Sequence, residues 1–219
     1  MKRVFLLLGV ALFSISAFST DKNTKALIIT DMGKITVELY NETSQHRDNF
    51  IKLVRENKYD SIMFHRVIKQ FMIQAGEKYA PTDSVNKAAY AEPDYKIPAE
   101  IVFPQYFHKR GQLCAARQGD DVNPERASSA TQFYIVTGKH FTDHELDKME
   151  KEKNVSLTPE QREAYKIEGG SPHLDGAYTV FGQVIKGMNV VHKIELVGTD
   201  TSDRPLKEVR IKTIKILKK

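Results

Sequence analysis

The chain has 219 residues, of which 41% are hydrophobic, 28% charged and 9% aromatic, a balance that belongs to globular proteins and excludes disorder and collagen-like repeats. Lysine and arginine outnumber aspartate and glutamate by 33 to 28, but the two signs are interspersed along the chain. That excludes the clustered basic face with stacking aromatics that nucleic-acid binding requires. The length suits one large domain, with no internal repeat or low-complexity tract to divide it.

Residues 1–19 read as a secretory signal peptide. Lys2 and Arg3 supply the positive start, residues 4–18 the apolar run, and Ala17-Phe18-Ser19 a small-x-small cleavage site. The alternative, an uncleaved anchor, needs about 20 apolar residues, and Ser14 and Ser16 interrupt this run. Cleavage would leave residues 20–219 as a single domain, lower the net charge from +5 to +3, and leave no membrane attachment. The expected setting is therefore export, to a periplasm first and to the medium second. Cys114 is the only cysteine, so no intramolecular disulfide can form.

Residues 25–30 and 34–40 are β-rich and separated by Asp31-Met32-Gly33, which predicts a hairpin. Phe50, Leu53 and Val54 fall at helical spacing within residues 41–57, predicting an amphipathic helix. Residues 61–75 read as two strands around a tight turn at Lys69-Gln70. Residues 77–108 lack any period and read as a long loop. Short strands follow at 111–116 and 132–137, joined by a polar loop at 117–131. Residues 139–171 turn highly charged and helical in pattern, with capping signatures at Thr142 with Glu145 and at Thr158-Pro159 with Gln161. This segment is a helical insertion. A strand at 178–184, a short helix at 188–194 and a final strand at 208–217 complete the chain. Short strands without a βαβ rhythm predict a mainly β fold, an antiparallel barrel closed or nearly so.

No glycine-rich phosphate loop, nucleophile elbow, CxxC pair or HExxH helix occurs, so neither cofactor nor metal is expected. His140 and His144 are four apart, but a cap at Thr142 leaves His140 outside the helix and spoils a shared metal face. Asp120-Asp121-Val122-Asn123 lacks the glycine and distal glutamate of a calcium loop. Cys114 sits mid-strand, where a small buried hydrophobe is the ordinary role.

Arg66 stands apart. It lies among Phe64, Val67, Phe71 and Met72, where a guanidinium is costly unless it has a partner or faces a ligand. A strand-end ion pair is one reading. The other is a ligand wall, because Gln74 follows on the same side as Met72 and brings a cation, an amide and large apolar groups together. Such a wall suits an apolar ring carrying an amide, as in a prolyl peptide.

Four ordered motifs carry a resemblance: FHRVIKQFMIQAG at 64–76, GQLCAAR at 111–117, SSATQFYIV at 128–136 and HLDGAYTVFGQVIKGMNVV at 173–191. In these the chain resembles the cyclophilin-type peptidyl-prolyl cis-trans isomerases, and ITVELY with the following helix extends the likeness over nearly everything but the charged insertion. The resemblance implies a closed eight-stranded antiparallel β-barrel capped by two helices, acting as a monomer on proline-containing unfolded or newly exported polypeptides. It places Arg66 at the catalytic arginine. It places Phe71, Met72, Gln74, Ala116 and Arg117 on the substrate groove, and likewise Gln132, Tyr134, His173, Leu174 and Tyr178. Tyr134 stands where the family usually has the phenylalanine of the proline-pocket floor, adding a hydroxyl that needs a partner. His173 stands at a frequent tryptophan and Tyr178 at a frequent histidine. By resemblance the tryptophan position matters for the inhibitor cyclosporin, so weak inhibition is expected.

Overall fold

The computed structural model describes residues 23–77 and 93–217. The expected leader and part of the 77–108 loop lie outside the described residues. Among the described residues no helix is long and apolar enough to cross a membrane.

The first hairpin forms as the alternation requires. β1 (Thr24–Thr30) and β2 (Gly33–Leu39) pair in register around Asp31-Met32, with Gly33 at a φ of 138°. Ala26, Ile28, Ile35, Val37 and Leu39 point to one face and are wholly buried. Next comes α1 (Ser44–Arg55), which buries Phe50, Leu53 and Val54 on the expected stripe and His46 beside them. A second hairpin joins β3 (Phe64–Ile68) to β4 (Met72–Ala75), and Gln70 takes a φ of 60° in the turn.

Two strands escaped the sequence. β5 (Lys96–Ile97) and β7 (Ser128–Ser129) pair with each other from within the two expected loops. At two residues each they are too short for any hydrophobic period to register. β6 (Gln112–Ala115), β8 (Phe133–Val136), β9 (Val180–Lys186), α4 (Met188–Glu195) and β10 (Ile211–Leu217) lie within a few residues of their expected places.

One eight-stranded antiparallel sheet runs in the order β10-β1-β2-β9-β6-β8-β4-β3. Its core packs under α1 and α4, with Phe50 meeting Phe133 edge-on at 5.7 Å between ring centroids. The expected closed barrel is corrected here: the sheet is strongly curled but open, with β10 and β3 at its two ends. Those ends meet at the Met63–Arg210 bridge, where the Phe64 N–H donates to the Val209 carbonyl at 2.9 Å and the Ile211 N–H to the Ile62 carbonyl at 2.7 Å, and the two strands do not pair beyond it. Further along, the free edge of β3 is taken by a loop instead of by β10. The Val67 backbone N–H donates to the Asp203 carbonyl at 2.9 Å.

The insertion consists of α2 (Asp143–Lys153) and α3 (Pro159–Ile167), and both capping boxes are formed as expected. Its root is narrow, for a Cβ on Gly138 would collide with the backbone of Gly170. Leu146, Met149, Leu157 and Tyr165 give it a small core of its own, shared with Phe107 and Phe141. Arg162 ties the two helices together through Asp143, Asp147 and Glu150.

No side chain caps α1 locally; instead Glu100 reaches in from the long loop. Its carboxylate accepts from the backbone N–H of Gln45 (3.1 Å) and of His46 (2.9 Å), and from the His46 ring at 2.6 Å. Burial alone would raise the Glu100 pKa, but these donors outweigh it and hold the group below its ordinary 4.5. Burial also pushes His46 below its ordinary 6.5, against the pull of the carboxylate. Both shifts disfavour proton uptake by the folded chain, so their stabilisation is full above pH 6.5 and declines as the pH falls, first through His46 and then through Glu100. Glu100→Gln should cost about 1–3 kcal/mol at pH 7 and flatten the acid limb of a plot of Tm against pH; an acid limb unchanged in that variant would exclude the pair as its origin.

Candidate active site

Register alone assembles the centre of the site. Arg66 on β3 is paired with Gln74 on β4, Gln74 with Tyr134 on β8, and Tyr134 with Cys114 on β6. Directly opposed residues share a face, so these four form a row across the sheet. Their neighbours Ile73, Ile135 and Leu113 turn the other way into the core and are wholly buried. The row therefore lies on the face remote from α1 and α4. There Met72, Cys114, Tyr134, Val136 and Val180 form a second apolar cluster, against which Phe71, Ala116, Leu174 and Tyr178 pack.

A cavity of about 150 Å³ opens in that cluster. Tyr134 and Met72 lie at its base, Phe71 and Leu174 at its sides, and Arg66 and Gln74 along one wall; Ala116, Arg117 and Tyr178 line the rest. An open recess of about 890 Å³ adjoins it, sharing Gln74, Ala116 and Arg117 and adding Gln132. Gln74 Nε2 donates to Gln132 Oε1 at 2.9 Å, which fixes both amides at the junction. Of the eleven residues singled out in the sequence, only His173 lines neither cavity. It sits exposed on the 3-10 turn Pro172–Leu174, with its ring 5.3 Å from that of Phe71, at the rim.

The two arginines differ in freedom. Arg117 is almost wholly buried and fully engaged: it lies 4.3 Å over the Tyr178 ring, donates to the Ala177 carbonyl at 2.9 Å and pairs with Asp120 at 2.6 Å. It is a wall and not a reagent. The Arg66 side chain is 44% exposed, and its Nε pairs with Asp203 at 3.3 Å. Arg66 thus makes the strand-end ion pair and also lines the cavity beside Met72 and Gln74. An exposed pair of this kind contributes only about 0–1 kcal/mol to stability. Its consequence is orientation, since the backbone of Asp203 is itself fixed to β3.

The extra hydroxyl of Tyr134 finds its partner in His108, whose Nε2 lies 3.0 Å away. Burial pushes the Tyr134 phenol well above its ordinary range, so the ring stays neutral. His108 and Asp203 were not legible as site residues. Both lie in aperiodic loops, where no spacing points to a fold position. Nothing among the described residues gathers three metal-ligating side chains.

The sequence profile of the cyclophilin-type peptidyl-prolyl cis-trans isomerase/CLD family matches residues 25–216. A peptidyl-prolyl cis-trans isomerase-like 1 protein of Neurospora crassa is 32% identical over 197 residues, covering 89% of this chain and 95% of that protein. A peptidyl-prolyl cis-trans isomerase-like 2 protein of Rhizopus delemar is 32% identical over 196 residues, covering 89% of this chain. The chain spans only 29% of the length of that relative. Among solved structures, a cyclophilin-type isomerase of Cryptosporidium parvum superposes with a TM-score of 0.65 at 24% identity, covering 90% of this chain and 99% of that one. The chain belongs to the cyclophilin-type peptidyl-prolyl cis-trans isomerase family.

Cys114 sits directly behind the pocket, and burial pushes its thiol well above the ordinary range. The thiolate is the reactive form, so the folded protein should resist iodoacetamide at pH 8 under conditions that alkylate the unfolded chain completely. Rapid alkylation by intact mass, with the fold retained, would show the pocket base to be open to solvent.

Proposed function

We propose that this chain accelerates cis-trans rotation about X-Pro peptide bonds and assists the folding of unfolded or newly exported polypeptides, as a monomer free of the membrane once its leader is removed. One observation carries the catalytic part: a guanidinium stands at the mouth of an apolar cavity of about 150 Å³, a size suited to a pyrrolidine ring. Family membership supports the same reading. The leader at residues 1–19 supports the exported setting.

Rotation of an X-Pro amide crosses a barrier of about 18–20 kcal/mol and takes tens to hundreds of seconds unaided. No bond is broken, so the reaction needs no nucleophile, metal or acid-base pair, only tighter binding of the twisted amide than of the planar one. In the planar amide the nitrogen lone pair is delocalised into the carbonyl. In the twisted amide it returns to the nitrogen and becomes a hydrogen-bond acceptor. Arg66 donates to that nitrogen, and a guanidinium keeps its charge and its donors at any physiological pH. Because the planar amide cannot accept this bond, the interaction lowers the barrier without strengthening the ground state. Phe71, Met72, Tyr134 and Leu174 hold the ring still, while Gln74, held by Gln132, engages the adjoining carbonyl.

Electrostatic assistance of this kind is worth about 3–4 kcal/mol. Arg66→Ala should therefore lower kcat/KM for a short X-Pro peptide by about 10²- to 10³-fold with an unchanged circular dichroism spectrum. Activity retained in that variant would remove Arg66 from the mechanism. Turnover absent from the folded wild type would leave a module that only grips prolyl segments.

The altered rim bears on inhibition. With exposed His173 in place of the family's frequent tryptophan, cyclosporin should inhibit weakly and His173→Trp should tighten inhibition; tight inhibition that is the same in both proteins would contradict this account of the rim.

A further inference from the structure

The helical insertion reaches the proline pocket through a chain of buried hydrogen bonds. Tyr165 on α3 is wholly buried, with Phe107 and Phe141 edge-on to its ring at 5.5 and 6.1 Å. Its hydroxyl donates to Oδ2 of Asp175 at 2.5 Å. The Asp175 carboxylate, whose side chain is 2% exposed, accepts at Oδ1 from the His108 backbone N–H (2.7 Å) and faces the ring Nδ1 (2.9 Å). Nε2 of that ring meets the Tyr134 hydroxyl at 3.0 Å, at the base of the pocket. Asp175 also directly follows the 3-10 turn Pro172–Leu174, so the same residue anchors Leu174, a side of the pocket.

The polarity of this chain is dictated by its carboxylate. A carboxylate oxygen accepts, so the His108 ring is placed with Nδ1 donating to Asp175 and Nε2 accepting from the Tyr134 hydroxyl. A carboxylate this deeply buried depends on its donors, and one of the three comes from the insertion. Deprived of it, Asp175 turns toward water, and His108 and the turn carrying Leu174 lose their anchor.

We propose that Tyr165 is a positioning residue for the proline pocket, through which the insertion sets the places of Tyr134 and Leu174 and with them the affinity for prolyl peptides. This rests on the isomerase reading above. Tyr134 and Leu174 touch the pyrrolidine in the planar and the twisted amide alike, so the effect falls on KM and not on kcat.

The test is the concentration dependence of catalysed exchange of an X-Pro peptide in full-length protein. Tyr165→Phe keeps the packed ring and should raise KM about three- to tenfold with kcat unchanged. Arg162→Ala removes ion pairs between the two insertion helices while keeping the Tyr165–Asp175 hydrogen bond, and should leave KM as in the wild type. Tyr134→Phe cuts the far end of the chain, so combining it with Tyr165→Phe should raise KM no further than either change alone. A KM unmoved by Tyr165→Phe, an equal rise in Arg162→Ala, or additive effects in the double variant would each overturn the proposal. A readout independent of variants is the NMR spectrum of wild-type protein titrated with the same peptide. Saturation should shift the His108 ring nitrogens and the Tyr165 ring, and peptide binding that leaves both unmoved would equally overturn it. Absence of exchange in the wild type would instead strike the isomerase reading, and the titration would still decide whether pocket and insertion are coupled.

Discussion

Everything in this molecule depends on the two-residue alternation of β4, β6 and β8. The same three strands bury Ile73, Leu113, Phe133 and Ile135 on one face and present Met72, Gln74, Cys114 and Tyr134 on the other. Side chains alternate strictly along a strand, so a slip of one residue would send the pocket residues into the core and the core residues to the pocket. The core under α1 and α4 therefore fixes the register of the pocket. Stability and site geometry are two sides of one sheet.

Arg66 stands on the end strand of the open sheet with its side chain on the pocket face, 44% exposed. The loop bearing Asp203 takes the edge of β3, and its carboxylate pairs with Nε. The charge stays partly hydrated yet directed. Arg117 shows the contrasting arrangement, with its guanidinium stacked, paired and buried, and it shapes the recess without being available to a substrate.

The legibility of the chain divides along the same physical line. The hairpins, α1 and both insertion caps follow from period and motif, because each rests on neighbours two to four residues apart; the eleven candidate groove residues came from the family resemblance, and ten of them line one of the two cavities. Arg66 could be singled out from its apolar surroundings alone. The β5–β7 pair, the Glu100 cap on α1, Asp203 beside Arg66 and Asp175 behind Tyr134 were not legible. Each joins segments distant in sequence through one or two polar groups, and such contacts leave no period. The sheet's openness was missed for a related reason: strand number can be counted from the sequence, but whether the last strand meets the first depends on where a loop settles.

By itself, then, the sequence determined the local elements and the face each side chain takes, because these follow from backbone sterics and from hydrophobic spacing along a few residues, while the candidate groove residues were legible only through the motifs that carry the family resemblance. The tertiary structure alone decided that the sheet stays open at β3, that Asp203 orients Arg66, and that His108, Asp175 and Tyr165 link the pocket to the insertion. Those outcomes turn on which buried polar groups find partners across the fold, and a buried donor or acceptor is satisfied only in three dimensions.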